Sequence, residues 1–412
     1  MSPRTVPGHR RVRRFGGGLP ILLAVVAVAT SACSNGHRAA TPPPRVLGQP
    51  HGTPLAVGQP APGGSDLAAI SCPTPSRCWA VGVPAPGTGP SNPATVIVAT
   101  RDGGKQWKPQ AVSGSFIPQL SGVSCPSATR CMAVGTNGAS VPGSGVVFTT
   151  VDGGATWTAA VAPPGVLTVD SVACTSSSGC TIVANDGAQT WSARSDDFGQ
   201  TWQRMGNLPT GFVGTGTLSC PANDPCLIAG YTPTSTGHGQ GAIALSPDGG
   251  QSWVPASVPN GAGLLQGATC LSPSVCLAGG STSTTVSDVV PAHGLLLRSV
   301  DGGHTWAVST TPPVDDVYDI SCPSARVCAM VGTNWVDSPA VATGAVAQSR
   351  DEGSTFAASS SAYVPLTLRA VDCPHAVHCL AAGGATLARI TLVKPVVHTG
   401  THPSTTAETG GG

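Results

Sequence analysis

Carboxylates and thiols are the side chains in this sequence whose grouping could do chemistry. The densest acidic run is Asp315, Asp316 and Asp319 around Tyr318. Two carboxyls held several ångströms apart suffice for glycoside hydrolysis, one as general acid and the other as base or nucleophile. The same groups could hold a polar ligand or a cation. They could also be turn and strand-capping aspartates that bond their own backbone.

The thiols are more regular. Fifteen cysteines comprise the single Cys33 and seven pairs: Cys72 with Cys78, Cys125 with Cys131, Cys174 with Cys180, Cys220 with Cys226, Cys270 with Cys276, Cys322 with Cys328 and Cys373 with Cys379. Every pair is C-x5-C, whereas zinc sites favour gaps of two to four residues, so in an exported chain these pairs read as disulfides. His375 and His378 lie inside the last pair and with free thiolates would form a metal cluster. The six sister loops contain no histidine, so the shared spacing favours a bridge, and neither metal nor cofactor is expected.

What must position these groups is a repeat. Successive first cysteines lie 53, 49, 46, 50, 52 and 51 residues apart, a period that suits propeller blades. Between the pairs runs a second motif, a hydroxyl residue, then Asp two positions on, Gly two further and an aromatic three beyond that. It recurs at Asp102, Asp152, Asp197, Asp248, Asp301 and Asp351, ending in Trp107, Trp157, Trp202, Trp253, Trp306 and Phe356. The carboxylate can fold back on the N–H groups of its own tight turn, and glycine supplies positive φ. The aromatic should turn inward and fill the gap between packed sheets.

These six copies resemble the Asp-box, or BNR repeat, of sialidase-like propellers. The resemblance implies a β-propeller with Asp-box turns, and the seven cysteine pairs count its blades, so the expected fold is all-β, a seven-bladed β-propeller with one C-x5-C disulfide per blade. In the second blade the strands are expected at 120–125, 131–135, 145–150 and 157–161. Blade seven has strands two and three at 380–383 and 386–393 but no Asp box, so residues 45–59 should supply its missing fourth strand and close the ring. The strand entrances at Asp66, Asp170 and the Asp315–Asp319 run should then surround one mouth of the central channel.

Residues 1–32 read as an export signal: Arg4, Arg10, Arg11, Arg13 and Arg14 precede an apolar run at 19–29, too short to span a bilayer stably. With Cys33 following Thr30-Ser31-Ala32, the segment resembles a bacterial lipoprotein signal, which implies a lipidated Cys33, a tether over 33–44 and a propeller over 45–396. Thr30 stands where that pattern usually has Leu, and secretion after cleavage behind Ala32 is the alternative. Residues 397–412 read as a polar tail without structure. Without the signal, fifteen basic residues face nineteen acidic ones, a balance with no footprint for nucleic acid.

Sialidases need a Tyr nucleophile with a Glu partner. After the signal the chain has only Glu352, inside the sixth box, and Glu408, in the tail. The repeats also resemble those of photosystem II assembly-factor propellers, which are non-enzymatic and carry an arginine-rich patch. Here Arg77, Arg130, Arg326 and Arg369 are scattered. The expected role is a non-catalytic cell-surface scaffold presenting a propeller face to a protein or glycan partner, with a hydrolase using channel-mouth aspartates as the rival.

Overall fold

The computed structural model describes residues 56–85, 96–112, 118–138, 141–214, 216–221, 225–235, 238–284, 293–336, 341–358 and 367–392. The export signal, Cys33, the tether and the C-terminal tail lie outside the described residues.

Strand two of each blade is an apolar run of small and β-branched residues starting at the second cysteine, such as Cys131–Thr136 and Cys180–Asn185, buried on both faces. Such a strand must be covered on both sides by neighbouring sheets. The outermost strands, such as Lys108–Pro109 and Ala307–Val308, are short and exposed, which limits the free edge open to pairing. The result is seven four-stranded antiparallel meanders, a seven-bladed propeller. The one helical element among the described residues is a single 3-10 turn, Pro62–Gly64.

The core has no centre. It divides into seven apolar clusters, each joining one blade to the next: Trp79 and Trp157 sit between blades one and two, and Leu296 and Val317 between five and six. The motif aromatics belong to these layers. Trp157 is 1% exposed, and Trp107, Trp253 and Trp306 are buried, while Trp202 and Phe356 are half-buried.

The ring closes as the missing motif requires. In the seventh sheet the order is β1 (Ala56–Pro60), β28 (Thr386–Thr391), β27 (His378–Gly383), β26 (Ala370–His375). The first strand pairs antiparallel with the last, Ala56 opposite Ile390 and Pro60 opposite Thr386.

Cysteines face each other at the end of every first hairpin, with Cα separations of 3.9–4.1 Å. All seven expected pairs are bonded. Cys72 is joined to Cys78, Cys125 to Cys131, Cys174 to Cys180 and Cys220 to Cys226. Cys270 is joined to Cys276, Cys322 to Cys328 and Cys373 to Cys379. The second cysteine of each pair lies at the start of strand two and is buried, Cys276 fully and Cys379 to within 1%, the strand beginning one residue earlier in blades one and seven, at Arg77 and His378. Neither thiol is therefore available as a metal ligand or a nucleophile.

The antiparallel order puts these bridges and the aspartate turns on one rim, because Cys78 pairs with Thr100 just before Asp102. The two features are joined: the N–H groups of Gly103, Gly153 and Gly302 donate to the carbonyls of Ser76, Thr129 and Ser274 in the disulfide loops at 2.9–3.0 Å.

Within a turn, the Thr150 hydroxyl donates to Asp152 Oδ1 at 2.8 Å while accepting from Gly154 N–H at 2.9 Å. Thr156 donates its N–H to Oδ1 and its hydroxyl to Oδ2 of Asp152. The other five turns repeat the hydroxyl-to-Asp bond at 2.7–2.8 Å. These donors hold Asp152 and Asp197 down to about 2. Positive φ falls on glycine after the aspartate in four turns, but on Phe198 (60°) in the third and Glu352 (62°) in the sixth.

Candidate functional site

All seven inner strands line the central channel, a cavity of about 540 Å³. Each strand can be read backwards from its first cysteine. The residue immediately before it is a lock between blades: the hydroxyls of Ser71, Ser124 and Ser321 accept the N–H of Cys125, Cys174 and Cys373 at 3.1, 2.9 and 3.1 Å. In blade seven the position is Asp372, whose Oδ2 accepts Cys72 N–H at 2.7 Å and joins the last blade to the first.

Three residues before the cysteine, a second lock recurs. Ser171 accepts the N–H of Leu218 at 2.8 Å. Asp319 accepts Val371 N–H through Oδ2 and its neighbour Ile320 N–H through Oδ1, both at 2.9 Å.

Four residues before the cysteine lies a β-bulge. The ladder skips one residue between Leu67 and Ala69, Leu120 and Gly122, Val169 and Ser171, Leu265 and Gly267, and Val317 and Asp319. A bulge leaves one residue unpaired and re-aims its side chain. The skipped residues are Ala68, Ser121, Asp170, Gln266 and Tyr318, and blades four and seven have Gly216 and Arg369 at the same count. Opposite the bulge, strand two carries glycine: a Cβ on Gly135 would lie 2.0 Å from Gln119 O, and one on Gly332 1.8 Å from Asp316 O. The scaffold is repeated; the side chains it aims into the channel are not.

These unrepeated residues are unevenly distributed. Gln266 lies against the Tyr318 hydroxyl, and the Tyr318 phenol is pushed up by burial and then by the Asp316 carboxylate, so it stays protonated at neutral pH. Arg369 reaches across to Asp66 in blade one, one guanidinium nitrogen lying 3.0 Å from each carboxylate oxygen. Small residues occupy the corresponding places in blades one, two and four.

Burial pushes Asp319 up to about 7, Asp372 to about 6 and Asp170 to about 6. The N–H donors on the first two and the Thr168 hydroxyl on the third work the other way, and the Asp372 charge adds to the rise at Asp319. A carboxyl titrating near neutrality is what a general acid requires. Both oxygens of Asp319, however, already accept backbone N–H groups, and Asp372 does in charged form what a serine hydroxyl does in three other blades.

The acidic run at 315–319 is divided by the fold. Tyr318 and Asp319 line the channel, whereas Asp315 lines a separate groove between blades five and six with His293, Pro312, Pro313, Asn334, Trp335 and Thr343. Asp315 Oδ2 accepts Trp335 N–H at 2.9 Å and its own N–H donates to Asn334 Oδ1 at 3.0 Å. Asp316 lines neither cavity. Its carboxyl is raised by burial and lowered by bonds from Ser281 and the Trp335 side chain. The expectation that all entering aspartates surround one mouth is therefore corrected: Asp315 precedes β22 (Asp316–Ser321), and the bulge between Val317 and Asp319 breaks the alternation along it, so Tyr318 and Asp319 both reach the channel while Asp316 does not.

His375 and His378 are exposed, their ring centroids 6.4 Å apart, and the flanking Cys373 and Cys379 are bridged to each other. Among the described residues no three His, Cys, Asp or Glu side chains converge on one point. Gln266, Asp372 and Trp335 were not legible as site residues until counted from the cysteines or placed on the blade-six hairpin.

No protein-family profile and no curated protein sequence matches the chain. By shape it resembles solved propellers at low identity. YCF48 bound to a D1 peptide shares 16% identity over 82% of this chain and 97% of that one, with a TM-score of 0.59. The GH74 xyloglucanase from Xanthomonas campestris shares 13% over 82% of this chain and 55% of that one, with a TM-score of 0.57. The WD40 propeller domain of Doa1 shares 11% over 84% and 98%, with a TM-score of 0.50. At such identities the likeness establishes the fold alone.

Proposed function

We propose that this chain is a non-catalytic binding scaffold that presents the rim bearing Asp66, Tyr318 and Arg369 to a protein or glycan partner. One observation carries the reading. Two of the three channel carboxyls with the titration that acid–base chemistry requires, Asp319 and Asp372, are engaged in holding neighbouring blades together, and the third, Asp170, accepts from Thr168 of its own strand, while the bulge-position residues Gln266, Tyr318 and Arg369 gather polar groups on three consecutive blades. A propeller of similar shape, YCF48, is known bound to a D1 peptide. The six aspartate turns are assigned here to the Asp-box family, with a structural role remote from any ligand.

The second reading is a glycoside hydrolase, favoured by the raised Asp319 and by the fold shared with a GH74 xyloglucanase. The two readings differ under substitution. Asp170→Asn and Asp319→Asn should abolish turnover in a hydrolase, whereas Asp170→Asn, which breaks no blade lock, should leave partner recovery by a scaffold largely unchanged. A broad glycoside substrate panel on the purified protein tests this directly, and turnover of any member sinks the scaffold reading.

Seven disulfides fit an oxidising compartment such as the cell exterior, and no described helix is long and apolar enough to cross a membrane. The reading places the propeller on the outer surface of the cell membrane through lipidated Cys33. Cys33→Ala should abolish incorporation of labelled fatty acid; normal lipid labelling of that variant would remove the anchor from the proposal.

A further inference from the structure

We propose that the groove between blades five and six is a binding subsite for a neutral saccharide, separate from the channel rim; this deepens the scaffold reading and rests on it. The groove owes its existence to a lengthened hairpin. Strands two and three of blade six are β23 (Cys328–Val336) and β24 (Val341–Ser349), nine residues each, against six each in blades two, three and five. The three extra positions carry Asn334 and Trp335 past the blade body to face His293 of blade five and the Pro312-Pro313 segment leading into blade six. At about 630 Å³ the groove lies within the range of small-molecule sites.

Its chemistry is selective. Trp335 belongs neither to the motif aromatics nor to the seven core clusters. It is half-buried and fixed twice, by its backbone N–H on Asp315 and by its side chain on Asp316. A flat apolar face held this way suits the C–H face of a pyranose, for little side-chain freedom is lost on binding. Beside it, Asp315 offers Oδ1 as an acceptor, since Oδ2 is occupied by Trp335 N–H. Asn334 keeps its amide donors, because its Oδ1 is taken by Asp315 N–H. An adjacent acceptor and donor pair matches the vicinal hydroxyls of a sugar, each of which both donates and accepts. The Asp315 carboxylate in the lining, with no arginine or lysine beside it, disfavours an acidic sugar and selects a neutral one.

The test is a printed array of neutral, acidic and amino glycans probed with the full-length chain, followed by tryptophan-fluorescence titration of the neutral hits. Parallel titrations use Trp335→Ala, Asp315→Asn and the rim control Arg369→Ala, with Trp335→Phe guarding against misfolding. A neutral glycan should bind with affinity unchanged between about 50 mM and about 500 mM salt, because no charge is paired. It should be weakened about tenfold or more by Trp335→Ala and by Asp315→Asn, retained by Trp335→Phe and unaffected by Arg369→Ala. Absence of any neutral hit overturns the inference, as does binding lost in Arg369→Ala but kept in Trp335→Ala, which would leave the scaffold reading standing at the rim. Salt-sensitive binding of a basic peptide that Trp335→Ala abolishes would also overturn it. Release of reducing ends from a bound glycan would instead refute the scaffold reading on which it rests.

Discussion

Asp372→Ser should make the propeller more stable at neutral pH and flatten its pH dependence. Position 372 does the job of Ser71, Ser124 and Ser321, accepting the next blade's N–H, but with a carboxylate that burial raises from 3.8 to about 6. The folded state thus holds this proton more tightly than the unfolded chain. Between about pH 4 and pH 6 the unfolded chain releases its proton first, and stability falls as pH rises. At about 1.36 kcal/mol per unit of pKa difference, the loss is about 3 kcal/mol, complete above pH 6. Serine keeps an acceptor and removes the charge, at a penalty of about 1 kcal/mol for exchanging a charge-assisted bond for a neutral one. The net expectation is a gain of about 2 kcal/mol at pH 7.5 and a small loss at pH 3.5. Relief of the Asp372 charge on Asp319 adds to the gain. Guanidinium unfolding under non-reducing conditions, run from pH 3.5 to pH 8 on both proteins, measures the difference. A stability difference that changes by less than about 0.5 kcal/mol across that interval would refute the reasoning, because the carboxyl would then titrate alike in both states.

Gly332→Ala should destabilise by about 1–3 kcal/mol, since its Cβ would lie 1.8 Å from a backbone oxygen; a thermal midpoint equal to wild type would mean that the bulge does not require glycine. Replacing Cys220 and Cys226 together by alanine should cost about 2 kcal/mol from the chain entropy of so short a loop, read as a lower denaturation midpoint without loss of the folded signal. Non-reduced peptide mapping should recover seven local bridges, Cys270 to Cys276 and Cys373 to Cys379 among them. Glu352→Gly should raise the melting temperature slightly, because it places glycine at the exposed φ of 62°; a decrease would show that the Arg298 contact at 3.9 Å outweighs the backbone strain. A chain beginning at Ala61 should associate or aggregate where one beginning at His51 stays monomeric, since β28 would be left as an open edge.

Blade number, bridge pairing and the closure by residues before the first blade were legible because each follows from counting. C-x5-C fixes a hairpin, and the absent seventh motif leaves one strand to find. The bulge could have been read too. Glycine stands four residues after the second cysteine in six blades, at Gly82, Gly135, Gly230, Gly280, Gly332 and Gly383, with Ala184 in the third, and a glycine recurring inside a strand marks a close backbone approach. What counting could not supply was direction. Asp315, Asp316, Tyr318 and Asp319 look like one acidic cluster in sequence, and the strand start and its bulge send them to a side groove, an interblade contact, the channel and a blade lock.

That division bears on where a function can reside in a repeated fold. A residue type that recurs at one position in most blades, such as the serine before the cysteine, is explained by the blade-to-blade bond it makes from Ser71, Ser124 and Ser321. Asp372 breaks the pattern while keeping the bond, so its carboxylate is an exception in charge and not in geometry. Tyr318 and Gln266 stand at a position that the bulge has removed from the ladder within the blade, so the side chain there is not fixed by strand pairing. Freed from the repeat, such a position can vary without loss of the fold. The bulge positions therefore form a ring in which side chains vary from blade to blade, some bonding a neighbour, as Ser121 does to Val169 O and Arg369 to Asp66, and others open to selection for a ligand, and the extended blade-six hairpin provides the same freedom outside the channel through Trp335.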